Sequence, residues 1–134
     1  MTPIIPPTYF PPVVRRLARD VKKQGGRALV VGGAVRDFYL AEPTKDFDVE
    51  VYGLSASRVE KIVCTFGRVS DVGRAFGILK VRLPRGGELD VSLPRRDSKV
   101  APGHRGFAVK ADPFMSVQEA ARRRDFTMNA LAAD

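Results

Sequence analysis

A single cysteine and a single histidine exclude several chemistries before any motif is considered. Cys64 has no partner for an intramolecular disulfide, and its place beside Ile62 and Val63 in a helix-like stretch predicts a buried, inert thiol. His104 has no second histidine with which to share a metal. Histidine-pair metal sites are therefore excluded, and a Ser-His-Asp hydrolase is disfavoured. Long apolar runs are missing too, since none approaches the roughly 20 residues of a membrane span. The first twelve residues hold five prolines and no basic residue ahead of their apolar positions, unlike a secretory signal. A soluble, cytoplasmic protein without membrane association is expected. Few aromatics are free for base stacking, so any grip on nucleic acid must come mainly from charge.

What the chain does have is positive charge. Lys and Arg outnumber Asp and Glu by 23 to 15, a net charge of +8 that attracts polyanions and makes nucleic acid the first partner to consider. The same charge also serves simply to keep a basic protein soluble. The length of 134 residues suits one domain, and 44% hydrophobic content agrees with a folded globule.

Along the chain, Val14, Leu17, Ala18 and Val21 recur at helical spacing up to a stop at Gly25-Gly26. Ala28-Leu29-Val30-Val31 reads as a buried strand that enters a tight turn at Gly32-Gly33. A second helix follows, with Val35, Phe38 and Leu40 directed inward before Pro43 ends it. From Asp46 to Tyr52 the pattern alternates, with Phe47, Val49 and Val51 on one face and Asp46, Asp48 and Glu50 on the other, Glu50 reading as solvated or supporting. Ser57 and Glu60 have capping-box spacing ahead of Val59, Ile62, Val63 and Phe66, and Gly67 ends that helix. Leu79, Val81 and Leu83, then a Pro84–Gly87 turn, then Leu89, Val91 and Leu93 predict a β-hairpin. Arg95 to Asp112 is basic and aperiodic and reads as a loop. Ser116 and Glu119 open a last helix carrying Arg122, Arg123 and Arg124. The order of elements indicates an α+β fold, a small mixed β-sheet with helices on one side.

Asp46 and Asp48, two apart on a strand, point the same way with Cα atoms roughly 6–7 Å apart. Oxygen ligands of this kind suit Mg²⁺, which takes one or two carboxylates plus substrate phosphates. Asp90, on the polar face of another strand, completes a two-metal site if the two strands are neighbours. Alternating acids also serve merely to solvate a strand face, but aspartate is a poor strand residue and three of them need a reason. Gly32-Gly33, between a buried strand and a helix, is either a plain tight turn or a place where backbone amides receive a phosphate. Arg36 in the first turn of that helix can reach a phosphate, with Asp37 orienting it or complementing the helix dipole. Three adjacent arginines fan around a helix, so at most two of Arg122, Arg123 and Arg124 face substrate. Arg124, Asp125 and Asn129 suit a group that grips triphosphate and sugar, while Arg96, Lys99, Arg105, Lys110 and Arg122 are candidate RNA contacts.

Val31-Gly32-Gly33-Ala34-Val35-Arg36-Asp37, then Lys45-Asp46-Phe47-Asp48, then Arg123-Arg124-Asp125-Phe126-Thr127-Met128-Asn129-Ala130 together resemble the signature of the head of class II tRNA CCA-adding enzymes and bacterial poly(A) polymerases. Gly73-Arg74-Ala75-Phe76-Gly77 resembles another segment of that family, and Leu89-Asp90-Val91 falls where its third carboxylate is expected. The likeness runs from about Arg27 to Ala132.

The resemblance implies a nucleotidyltransferase fold related to DNA polymerase beta and one head domain over residues 1–134. It implies Asp46 and Asp48 as Mg²⁺ ligands, the glycine turn and Arg36 on the triphosphate, and Arg124, Asp125 and Asn129 on the incoming ATP or CTP. The reaction implied is attack of an RNA 3′-hydroxyl, such as that of a tRNA, on the α-phosphate with loss of pyrophosphate. Two departures stand out. An acid that family members commonly carry five residues before the last motif's aspartate is replaced by Ala120, next to Glu119. The family also continues into a neck, body and tail beyond the point matching Asp134, in cis or in trans, and the neck bears the side chains that select CTP and then ATP. The alternative is a nucleotide- or RNA-binding module that keeps the fold without turnover, against which the intact Asp46, Asp48 and Asp90 argue.

Overall fold

Apolar residues at strand and helix spacing must all find a common interior, and here they do so on the two faces of one sheet. A computed structural model describes residues 4–44, 46–70, 77–99, 107–122 and 132–133, with backbone alone at 96–99, 107–111 and 132–133. Among the described residues six strands make the main sheet: β1 (Arg27–Val31), β2 (Asp48–Tyr52), β3 (Arg68–Ser70), β4 (Ile78–Arg82), β5 (Glu88–Ser92) and, numbered last in the chain, β8 (Ala132–Ala133). Their order is β3-β4-β5-β2-β1-β8. The central pair β2 and β5 is parallel and every other neighbouring pair antiparallel, so the sheet is mixed. The α+β class holds.

Helices α1 (Pro12–Lys23), α2 (Gly33–Tyr39) and α3 (Ala56–Val63) pack on the face that presents Val30, Val49, Val51, Val81 and Val91. Leu17, Val21, Val51, Val59, Val63, Val81 and Val91 are fully enclosed there. Burying each such side chain contributes about 1.5–3 kcal/mol before chain entropy is counted. The opposite face carries a smaller apolar patch. Leu29, Val31 and Tyr52 are covered there by Met115 and by Ala120 of α4 (Val117–Arg122), so the helices do not all lie on one side of the sheet as expected, because this face too presents apolar side chains that need covering. The Ser116 hydroxyl caps α4 by accepting from the Glu119 amide at 3.2 Å. Ser116→Ala is expected to lower stability by about 1 kcal/mol in urea unfolding, because that amide then has no side-chain acceptor.

Several details differ from the sequence expectation, each for a physical reason. The stretch from Arg95 to Asp112 contains an antiparallel pair, β6 (Arg95–Lys99) with β7 (Phe107–Ala111). This two-stranded ribbon is separate from the main sheet, so strict apolar alternation is not needed and does not announce it. Candidate RNA contacts Arg96, Lys99 and Lys110 therefore sit on paired strands, with Arg96 opposite Lys110. Cys64 is exposed, because the helical phase that sends Val59, Ile62, Val63 and Phe66 inward turns residue 64 outward. Leu40 is also exposed, since α2 ends at Tyr39. Ser55, two residues before the expected box, caps α3. The short edge strand β3 carried no sequence signal, being only three residues long.

Candidate active site

The register of the sheet lines up polar residues of four strands, β2, β5, β4 and β3, in one transverse row that continues through β1 and β8. Ala132, Val31, Asp48, Asp90, Lys80 and Ser70 are successive partners across β8, β1, β2, β5, β4 and β3. Directly paired residues share a face, so the Asp48 and Asp90 side chains stand side by side on adjacent strands about 4.8 Å apart. Asp48 is exposed and Asp90 half-buried. Asp46 lies just before β2 and is exposed, and its carbonyl accepts a hydrogen bond from the Thr44 hydroxyl at 3.3 Å.

Asp90 is held by Lys80, whose ammonium donates to both carboxylate oxygens at 3.1 and 3.3 Å. That hydrogen bond, followed by the Asp90 charge and those of Glu88 and Asp48, raises the Lys80 pKa. With the folded value above the unfolded one, the pair is complete below the ordinary lysine range and is lost only as pH climbs through the raised value. Lys80 therefore stays an ammonium at neutral pH beside the two acids of the row.

Beside the row lies the glycine turn. Gly32 follows Val31 with φ 72° and ψ −136°, a conformation that side chains rarely adopt, and it opens α2. On the first turns of α2, Arg36 donates from Nε and Nη2 to Asp37 Oδ1 at 2.9 and 2.7 Å. The guanidinium passes so close to the turn that a Cβ added at Gly33 would lie 3.3 Å from Nη2. Asp37 therefore fixes the arginine against the turn. Tyr9 braces the same helix by donating its hydroxyl to the Ala34 carbonyl at 2.8 Å, with its ring edge-on to Phe38 and Phe47. Burial first, and then the nearby Asp37 carboxylate, raise the Tyr9 pKa.

Of the two roles expected for Glu50, solvated or supporting, the structure excludes the solvated one. It is 1% exposed, two residues along from Asp48, and its carboxylate accepts from the Tyr52 hydroxyl. Alternation alone placed it with the aspartates, but Met115 and α4 close over this end of the face. Ala120, where the family acid was expected, is buried in the same patch, and Glu119 beside it is exposed. Arg124, Asp125, Asn129 and Arg105 lie outside the described residues, as do Lys45 and the Gly73–Phe76 segment. Arg122 is exposed at the end of α4.

The sequence carries a signal for Lys80 that the motifs did not: alternation along Ile78–Arg82 puts it on one face with Asp90. Arg68, Ser70 and Arg82 extend the same polar face outward. An apolar cleft of about 370 Å³ beside α1, lined by Phe10, Val14, Ala18 and Val30 among others, has no acid among its described lining residues and lies apart from the row.

As for a metal, the donor chemistry fits hard cations, since Asp48 and Asp90 bring adjacent carboxylates with Asp46 close along the chain. Among the described residues no three acidic, histidine or cysteine side chains yet converge on one point, and Lys80 holds Asp90.

Residues 28–134 match the model of the Poly A polymerase head domain. A multifunctional CCA protein of Xanthomonas oryzae pv. oryzae is 41% identical over 105 residues, which is 78% of this chain and 24% of that protein. The chain thus spans about a quarter of the length of the curated relatives it matches. The crystal structure of the Bacillus stearothermophilus CCA-adding enzyme in complex with CTP superimposes with a TM-score of 0.69 at 30% identity, covering 93% of this chain and 28% of that one. A tRNA nucleotidyltransferase complexed with a primer tRNA and an incoming ATP analog follows at TM-score 0.60 and 27% identity, covering 87% and 30%. With its glycine turn, carboxylate row and nearly the whole chain matched, the protein belongs to the poly(A) polymerase head domain family.

Proposed function

We propose that this chain is the catalytic head of a nucleotidyltransferase that adds nucleotides from NTPs to the 3′ end of RNA, in tRNA CCA addition or poly(A) addition. The observation that carries the reading is the pairing of Asp48 with Asp90 immediately beside the Gly32-Gly33 turn. This arrangement sets paired carboxylates next to a backbone turn suited to phosphate, as a transfer between phosphate and hydroxyl requires. The CTP and the primer tRNA with ATP analog named in the two solved relatives support NTP and RNA as its substrates. Residues 1–134 act as one head domain in the cytoplasm, and the described residues contain no helix long and apolar enough to cross a membrane.

In this reading Asp46, Asp48 and Asp90 hold Mg²⁺, which when bound lowers the pKa of the attacking hydroxyl and neutralises charge on the departing phosphates. Gly32 and Gly33 present backbone to the triphosphate, and Arg36, already oriented by Asp37, meets its charge. Arg124, Asp125 and Asn129 are assigned to the incoming nucleotide by family resemblance. Arg96, Lys99, Arg105, Lys110 and Arg122 supply cationic contacts for RNA. Incubation with Mg²⁺, labelled ATP or CTP and a short RNA should give extended product. Nucleotide and RNA binding without extension would instead make the chain a non-catalytic module of the same fold.

Base choice follows from what the assigned groups touch. They face phosphate, sugar or metal, which all four nucleotides share, and strong discrimination needs partners for the hydrogen-bonding edge of the base. The isolated chain should therefore use CTP, ATP, UTP and GTP with efficiencies within roughly tenfold, about 1.4 kcal/mol. Single-nucleotide extension with each NTP in turn measures this, and a hundredfold preference would mean that the head itself reads the base.

A further inference from the structure

We propose that the cleft at the outer edge of the sheet, lined by Arg68, Ser70, Lys80, Arg82 and Glu88, is the track that holds the phosphate backbone of the RNA strand whose 3′ end meets the carboxylate row. The inference rests on the transferase reading above and names where its RNA substrate lies.

The cleft holds about 350 Å³ and is continuous with the row, because Lys80 lines it and also contacts Asp90. Its floor is set by register, with Ser70 opposite Lys80 and Arg68 opposite Arg82. Alternate residues on one strand are about 6–7 Å apart, so Lys80 and Arg82 offer two cationic positions spaced to follow a chain of phosphates. Among the described lining residues three cations face one acid, with Lys80 also bonded to Asp90 of the row. That acid, Glu88, meets Arg82 at only 3.8 Å, with the two side chains 54% and 76% exposed. So open a pair is worth little and leaves the guanidinium available to a phosphate.

The chemistry chooses RNA over the triphosphate for this cleft. In phosphoryl transfer the attacking and leaving oxygens stand roughly in line on opposite sides of the phosphorus. The triphosphate, and with it the leaving pyrophosphate, is assigned to the glycine turn that follows β1. Asp48 and Asp90 lie between that turn and the cleft, on β2 and β5. The attacking strand must then approach from the side of β4 and β3, where Arg68, Lys80 and Arg82 stand. Among the described residues no aromatic ring lines the cleft, so the grip is on backbone and tolerant of sequence.

The test is fluorescence anisotropy of 5′-labelled single-stranded RNA across a salt series, with Arg68→Ala/Arg82→Ala compared with Arg15→Ala/Arg19→Ala. Both doubles remove two exposed cations, and the second pair lies on α1 across the sheet. Loss of the first pair should weaken RNA binding about 25-fold near 0.1 M salt. The slope of log affinity against log salt should fall by about 1.4, which is two single-strand contacts. The α1 double should change affinity less than about threefold, and the affinity of the first double for ATP with Mg²⁺ should match wild type. Equal losses in both doubles, an unchanged affinity in the first, or a parallel loss of ATP binding would each overturn the track. Absence of RNA binding by the unsubstituted chain would overturn it as well. RNA held by the cleft but never extended would remove the transferase reading and leave the track standing. Normal extension by the Arg68→Ala/Arg82→Ala protein would remove the track alone.

Discussion

Asp48→Ala should lower nucleotide transfer by at least about a thousandfold, some 4 kcal/mol of transition-state stabilisation, while the protein stays folded. The side chain is exposed at the first position of β2, so the core loses no apolar contact. The backbone of residue 48 keeps its pairing with Val31 and Asp90. In the proposed reading, what disappears is one of the two adjacent carboxylates that would hold Mg²⁺. Removing it also relieves repulsion from Asp90, so the melting temperature without metal should hold or rise slightly. Asp48→Asn should fail as severely, because it keeps the shape and removes the charge. Primer extension in Mg²⁺ together with thermal melting of each variant measures both halves. Extension near the wild-type rate would remove Asp48 from the metal site, and a collapsed melt would mean that the residue is structural.

Gly67→Ala should have the largest effect on stability, about 3 kcal/mol or more, a fall in melting temperature of roughly 10 °C. A Cβ at Gly67 would stand 2.0 Å from the Arg82 carbonyl oxygen and 2.9 Å from its carbon. The obstacle is backbone, so no side chain can swing aside. Relief requires moving β3 away from β4, beginning at the Arg68–Arg82 pairing. The same shift would distort the Arg68, Lys80 and Arg82 cleft, so RNA affinity should fall along with stability. Gly86→Ala is the contrast. That residue has φ +95° and open space around it, so alanine there meets backbone strain alone, about 1–2 kcal/mol. Guanidinium unfolding of the two variants separates them. Equal costs would mean that the close approach at Gly67 relaxes without disturbing the strand pair.

Much of this molecule was legible in the order of its residues. Apolar spacing sufficed for α1, for the strands carrying Val30, Val51, Val81 and Val91, and for the hairpin, because a side chain's face follows directly from period 3.6 or 2. The Ser116 cap was legible for the same local reason. The glycine turn, the Asp46-x-Asp48 pair and Asp90 could be named as candidates one by one. Tertiary structure alone decided what those residues are to each other. Parallel pairing of β2 with β5 joins residues 42 positions apart, and no local pattern encodes which strands become neighbours. Long-range packing also buried Glu50, beside the patch that Met115 and Ala120 cover, while leaving Asp48 exposed, although alternation gives the two the same face. It built the β6–β7 ribbon from an aperiodic stretch, and it brought the three-residue strand β3 beside Lys80. Periodicity reports which way a side chain points. What it meets there depends on chain closure over distances that local propensity does not reach.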